Sequence, residues 1–211
     1  MAKTKLKVTF LSPRVSCNHF FEISHSGKMG SWFSRPLVIL DMNKLLVYRA
    51  FKPKLHEEYA HVEPFIEQAT LLGEHYTFLR PHAREFVTYL LDNYRVAVWS
   101  SAWAKNVNLL CEHVFGARRG ELLFEWDQTM CAEITPHPDP KEKKPLFQKD
   151  LFKVWSRFPE YTESNTIIID DCAYKMRDNP TECVILTEPW IPPVEDDFLD
   201  PKNWTYRLFF Q

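Results

Sequence analysis

The most constraining feature of this chain is the way its apolar runs end. Thr166-Ile-Ile-Ile is a run of four β-formers that releases two consecutive acids, Asp170 and Asp171. A second run, Leu37-Val-Ile-Leu, releases Asp41, and a third, Val96-Ala-Val-Trp, releases Ser100 and Ser101. Unbroken apolar runs of this kind suit strands covered on both faces, which occur in parallel sheets flanked by helices. In an open parallel sheet, ligands bind beyond the carboxyl ends of the strands. Three runs that discharge acids or hydroxyls at that end would gather those groups in one crevice. Crowded carboxylates repel unless a cation sits among them. The pattern therefore points to a Mg²⁺-dependent site for a phosphate group.

The segments between these runs support an α/β fold. Pro81 suits the first position of a helix, and Phe86, Tyr89 and Leu90 follow at helical spacing. Residues 102–115 present Val107, Leu110, Cys111 and Val114 on one helical face, with Gly116 marking the end. Residues 57–72 are expected to be helical with an interruption at Pro64. Residues 49–54 are expected to lead out of the first strand, and 76–79 to be short and extended. Further strands are expected at 122–126 and 183–186, and order resumes at 146–155 after a charged, proline-rich excursion at 135–144. A proline- and acid-rich stretch follows at 189–201, and 204–210 is expected to pack as a last helix. Strands alternating with helices imply a three-layer arrangement around a central parallel sheet.

Composition narrows the function classes. The chain has 211 residues, which suits one domain with a substantial core. Its net charge of −2 argues against a dominant nucleic-acid footprint. No apolar run approaches the length needed to span a bilayer. The five cysteines are scattered and include no C-x-x-C pair, which argues against a structural zinc site or a disulfide framework and makes a reducing compartment the default. None of the five glycines lies in a phosphate-cradling loop pattern, so no nucleotide cofactor is expected. Residues 1–36 stand apart: six lysines and arginines accompany a single acid, Glu22. This segment reads as a basic extension or an organelle-targeting segment, and 37–211 as the folded domain. The expected localisation is cytoplasm or nucleus, with the mitochondrion as alternative.

In chain order the candidate site residues are Asp41, Asn43, Ser100, Ser101, Lys149, Asp170 and Asp171. Each has a task in phosphoryl transfer through an aspartyl intermediate. Asp41 would attack phosphorus, splitting one hard step into two. Ser100, with Ser101, would hydrogen-bond phosphate oxygens, and Lys149 would neutralise the phosphate and hold the nucleophile. Asp41, Asp170 and Asp171 would hold Mg²⁺, a hard cation that prefers carboxylate oxygens. Receiver domains use similar groups, but their acid pair ends the first strand and their lysine comes last. Here the pair comes last and follows the lysine.

This ordered set resembles the haloacid dehalogenase superfamily, and within it the branch of phosphatases acting on the RNA polymerase II C-terminal domain, also called NLI-interacting-factor-like phosphatases. The resemblance runs from about Leu37 to Phe210. It is carried by Asp41-Met-Asn-Lys-Leu-Leu46, by Arg80-Pro81 with Phe86, by Val98-Trp-Ser-Ser-Ala-Trp-Ala-Lys-Asn106, by Gln148-Lys-Asp-Leu151 and by Ile169-Asp-Asp-Cys-Ala173 with Asn179-Pro180. Trp126-Asp-Gln128 with Cys131 is similar to plant-type members. The resemblance implies a Rossmann-like fold with a small insert in place of a large cap, Mg²⁺ as cofactor, and a phosphoprotein or protein partner. A mitochondrial membrane-translocase subunit shares this fold.

The first motif departs from the family pattern. Two residues after the nucleophile the branch carries a second acid, the general acid for the leaving alkoxide, and two further on a threonine. Here those positions hold Asn43 and Leu45. An amide hydrogen-bonds but does not exchange a proton at neutral pH, and losing general acid–base help costs roughly 10²–10⁴ in rate. Two function classes follow: a weak or impaired Mg²⁺-dependent protein phosphatase, and a pseudophosphatase that binds a phosphoprotein or assembles with a partner without turnover.

Overall fold

The computed structural model describes residues 35–134 and 145–192. In chain order these hold strands β1 (Leu37–Leu40) and β2 (Val47–Phe51), helix α1 (Leu55–Glu58), strands β3 (Thr70–Leu72) and β4 (His75–Leu79), and helix α2 (Ala83–Asn93). Strand β5 (Arg95–Trp99), helix α3 (Ala104–Phe115) and strands β6 (Glu125–Trp126), β7 (Ala132–Ile134) and β8 (Leu146–Gln148) come next. Helix α4 (Leu151–Arg157), strand β9 (Thr166–Asp170), helix α5 (Ala173–Met176) and strand β10 (Val184–Leu186) complete the described chain. Of the basic segment 1–36 only Arg35 and Pro36 are described. The Arg35 guanidinium donates to the Asp92 carbonyl at 2.7 Å, docking the domain's start against the end of α2. The expected helix at 204–210 lies outside the described residues. Among the described residues, no helix is long and apolar enough to cross a membrane.

The central sheet has five strands in the order β10-β9-β1-β5-β6, all parallel. Alternation along β1 divides the core between its two faces. Val38 and Leu40 join Phe86, Leu90, Val107 and Leu110 from α2 and α3 on one face. Leu37 and Ile39 join Leu151 and Val154 of α4 on the other, with Trp99 and Trp126 packed edge to face at 5.0 Å. The result is helix, sheet, helix, as the uninterrupted apolar runs require.

Register puts the chemistry at one edge. Leu40 pairs with Val98 on one side and with Ile169 on the other. Asp41 and Asp170 are each one residue beyond this row and Ser100 two beyond, so all three leave the sheet together.

Three expectations need correction. The helix expected over 57–72 is the single turn α1, a 3₁₀ stretch at Ala60–Gln68 and strand β3. Pro64 lacks an amide hydrogen and disfavours helical geometry in the residue before it; Thr70–Leu72 is captured by pairing, with Leu71 opposite Tyr76. Residues 49–54 do not simply lead out of the first strand: Val47–Phe51 pairs antiparallel with β4, Arg49 lying opposite Thr77. The strand expected over 122–126 is regular only at Glu125–Trp126. Its earlier residues still run along β5, with the Leu123 amide donating to Val96 at 2.8 Å and the Val98 amide to Phe124 at 3.0 Å. The small insert is the antiparallel pair β7–β8, which delivers the chain directly to Lys149.

Two helix starts are also later than expected. Helix α2 opens after His82, whose backbone is left-handed at φ 60°. Helix α3 opens at Ala104 because the Ser100 hydroxyl accepts from the Ala102 amide at 3.3 Å, holding that residue in the preceding turn.

Candidate active site

The loop after β1 is held rigidly. The amides of Leu46 and Val47 both donate to the Met42 carbonyl, at 2.9 and 3.0 Å, closing a tight turn in which Lys44 is left-handed at φ 64°. The buried Arg80 clamps the turn from outside: its guanidinium donates to the Leu45 carbonyl at 3.1 Å and its amide to Leu46 at 2.9 Å. The Trp190 amide donates to the Lys44 carbonyl at 2.7 Å. Arg80, noticed in sequence only as part of a pattern, thus has a physical task in fixing the loop that carries Asp41 and Asn43. Leu45, where the family pattern has threonine, is fully buried.

Five ionisable groups converge beyond the strand ends. Asp41 and Asp170 are 2% and 0% exposed, and the Asp41 amide donates to the Ile169 carbonyl at 3.0 Å. Lys149, also fully buried, places Nζ 2.6 Å from Asp170 Oδ2 and 3.0 Å from Asp41 Oδ1. The backbone that bears Lys149 is gripped by Asn179. Its amide nitrogen donates to the Lys149 carbonyl at 2.7 Å, and its oxygen accepts from the Leu151 amide at 2.8 Å. This is the physical content of Asn179-Pro180 in the sequence pattern.

Lys175 was not among the sequence candidates. Its Nζ lies 3.0 Å from Asp41 Oδ2, 3.1 Å from Asp170 Oδ1 and 3.7 Å from Asp171 Oδ1. The signal that could have found it is the four-residue spacing from Asp171, which in a helical turn brings side chains together. The Lys175 carbonyl also accepts from the Lys149 amide at 3.0 Å, tying the two lysine segments to each other.

The charges follow from this packing. Burial alone would raise the Asp41 pKa, but the ammonium groups of Lys149 and Lys175 bring it down to about 2. Asp41 is therefore an ionised carboxylate at neutral pH, with the Lys149 ammonium at its Oδ1 and that of Lys175 at its Oδ2. Burial pushes Asp171 up to about 6; Lys175 pulls the other way, while Asp41 and Asp170 add to the rise. Burial also works against the charge on Lys175, but the three carboxylates outweigh it and hold its pKa above the ordinary lysine value.

Ser100 is buried, and its amide donates to the Trp126 carbonyl at 2.9 Å, which fixes it at the end of β5. Ser101 is half-buried beside it. Asn43 is half-buried too, and its side-chain oxygen accepts no hydrogen bond among the described residues. The structure therefore brings Asp41, Lys149, Asp170 and Asp171 into direct contact, with Ser100 at the same sheet edge. Carboxylate oxygens of Asp41, Asp170 and Asp171 lie within 4.8 Å of one another. An all-oxygen set of three carboxylates suits a hard divalent cation.

A parallel sheet with an aspartate after β1, a hydroxyl after β5, a lysine ahead of α4 and an acid pair ending β9 defines a haloacid dehalogenase-type phosphatase fold. More particularly, the pattern of NLI interacting factor-like phosphatases matches residues 36–203, and the chain belongs to that family. An uncharacterised FCP1 homology domain-containing protein of Schizosaccharomyces pombe is 24% identical over 189 residues, covering 86% of this chain and 68% of that protein. The solved structure of Fcp1, an essential RNA polymerase II CTD phosphatase, superposes with a TM-score of 0.51 at 15% identity, over 74% of this chain and 42% of that one. A second structure, fission yeast Fcp1 bound to beryllium fluoride, gives a TM-score of 0.49 at 16% identity with the same coverage. The chain thus spans less than half the length of these solved Fcp1 chains.

Proposed function

We propose that this domain is a Mg²⁺-dependent protein phosphatase of low activity that takes phosphoserine or phosphothreonine segments through an aspartyl phosphate on Asp41. The observation that carries this reading is a buried, ionised Asp41 held at the sheet edge between the Lys149 and Lys175 ammonium groups. A carboxylate in that state is a ready nucleophile. Its oxygen forms a bond to phosphorus as the bond from phosphorus to the serine or threonine oxygen breaks. The departing alkoxide takes its proton from water, and a second water then attacks phosphorus, breaking the bond to Asp41 and releasing inorganic phosphate. Lys149 would steady Asp41 and the phosphate, and the hydroxyls of Ser100 and Ser101 would hold phosphate oxygens. Asp41, Asp170 and Asp171 would hold Mg²⁺, which offsets the repulsion between a phosphate dianion and the nucleophile. Asn43 stands where the proton donor is needed and supplies none.

The test uses an aryl phosphate and phosphoserine peptides in millimolar Mg²⁺. The expected result is slow turnover of the aryl phosphate, whose leaving group needs little proton help, and slower turnover of the peptides. Asn43→Asp should raise peptide turnover by roughly 10²-fold or more, and Asp41→Asn should abolish both activities. Rapid peptide turnover by the wild type, unchanged in Asn43→Asp, would sink the reading.

Asn43 favours a second reading, a pseudophosphatase that binds a phosphoprotein or partner without turnover, including a translocase- or complex-subunit role. It predicts phosphopeptide binding with no hydrolysis, even in Asn43→Asp.

A further inference from the structure

Phosphoryl transfer by the reading above uses one lysine, yet two ammonium groups enter the carboxylate cluster, and they take different oxygens. Lys149 takes Asp41 Oδ1 and Asp170 Oδ2. Lys175 takes Asp41 Oδ2 and Asp170 Oδ1 and lies 3.7 Å from Asp171 Oδ1. Lys175 thus touches all three carboxylates that could hold a metal ion. A magnesium ion needs near-octahedral oxygen ligands at about 2.0–2.1 Å, and with these carboxylates as ligands it would occupy the space that the ammonium fills.

The two lysines also differ in freedom. Lys149 is fully enclosed, whereas the Lys175 side chain is 15% exposed. Asn179 grips the backbone from the Lys149 carbonyl to the Leu151 amide; Lys175 rides on the single turn α5 (Ala173–Met176). Charge decides whether metal and ammonium coexist. Three carboxylates with two ammonium groups carry one net negative charge. A dication added to that set would leave a net positive charge and press two cations together in a low-dielectric pocket, where repulsion is strong.

We propose that Lys175 is a tethered cation that competes with Mg²⁺ for Asp41, Asp170 and Asp171. Without metal it holds the site assembled and self-neutralised; metal enters only as the ammonium swings out. The inference rests on the reading of those three carboxylates as metal ligands. It makes the site's response to Mg²⁺ a property of this side chain, and it sets the Mg²⁺ concentration at which the domain is loaded.

The test compares the wild-type chain with Lys175→Met, using melting temperature against MgCl₂ and titration calorimetry with MgCl₂ alone. Lys175→Met should melt lower than wild type without metal, bind Mg²⁺ at least ten-fold more tightly, and gain more from it in melting temperature. Should the variant fold only with Mg²⁺ present, that rescue is the same result in extreme form. A second measurement needs no variant: lysine acylation of the wild type, mapped by mass spectrometry, should rise severalfold at Lys175 on adding Mg²⁺ and stay low at Lys149. Equal Mg²⁺ affinity in wild type and variant, or Lys175 labelling unchanged at Mg²⁺ concentrations that saturate the thermal shift, overturns the competition and leaves the metal reading standing. No binding to either protein overturns both.

Discussion

The central parallel sheet and the small antiparallel sheet β2-β4-β3 are built on different terms. Every residue of β1 and β9 is buried, whereas β3 has no buried residue and β4 only two. The parallel sheet is covered on both faces, so its strands read as plain apolar runs. The antiparallel sheet covers one modest cluster around Tyr48, Ala50, Phe78 and Trp190 and leaves Leu71 48% exposed. The difference teaches where charge is tolerated. The fully covered sheet ends in a knot of buried, mutually paired ions, while the half-covered one buries the uncharged Thr77 and keeps Arg49 and His75 partly exposed.

The largest expected effect lies in the buried knot. Lys149→Met leaves Asp41 and Asp170 short of a counter-ion, and removing one partner of a buried ion pair costs about 3–5 kcal/mol. Urea denaturation in metal-free buffer should show it, and Lys149→Met/Asp170→Asn should recover part of it. A cost under about 1 kcal/mol, the value of an exposed pair, would erase the contrast between the two sheets.

A sharper comparison sets one methyl group against a whole side chain. Ile39 is fully buried in β1, and Ile39→Val should cost about 0.5–1.5 kcal/mol. Leu71→Ala removes far more carbon from the exposed edge strand, yet should stay within about 0.5 kcal/mol. Denaturation midpoints in the reverse order would mean that the antiparallel sheet buries a surface against something outside the described residues.

The smallest expected effect is acid sensitivity confined to the antiparallel sheet. Burial first, and then the Arg49 and Lys105 charges, depress His75 to about 4, with Glu74 pulling the other way. The His75 ring lies 5.2 Å from that of Phe51. A histidine whose folded pKa is below its unfolded value of 6.5 contributes stability above 6.5 that is lost as pH falls through 4. Hydrogen exchange in β2 and β4 should accelerate across that window ahead of β1 and β9, and His75→Gln should remove the difference. Uniform acceleration in both sheets would show that they open as one unit.

Much of the site was legible before any coordinates. Asp41, Ser100 and Asp170 each follow an apolar run, and burial on both faces leaves such a run little choice but a central strand. Asn43 was legible as a departure because it sits at a fixed spacing from Asp41. Residues 57–72 were not legible: their spacing fits a helix locally, and only the partner strand at His75–Leu79 draws Thr70–Leu72 into a sheet. Lys175 was the largest omission. Its four-residue spacing from Asp171 is a signal, but the same spacing is met by solvated surface pairs, so it does not by itself mark a buried ion.

By itself, then, the order of apolar runs and acids determined the layers, the parallel sheet and the edge at which chemistry collects, because burial and strand polarity are local consequences of residue type. Tertiary structure alone decided that a second cation, Lys175, answers the acids beside Lys149. The Asp41 and Asp170 carboxylates come from strands separated by most of the chain. Both are paired by two ammonium groups that different segments deliver to opposite oxygens of the same pair. Coulomb energy in a dry pocket depends on distances of a few ångströms, and no spacing along the chain encodes those.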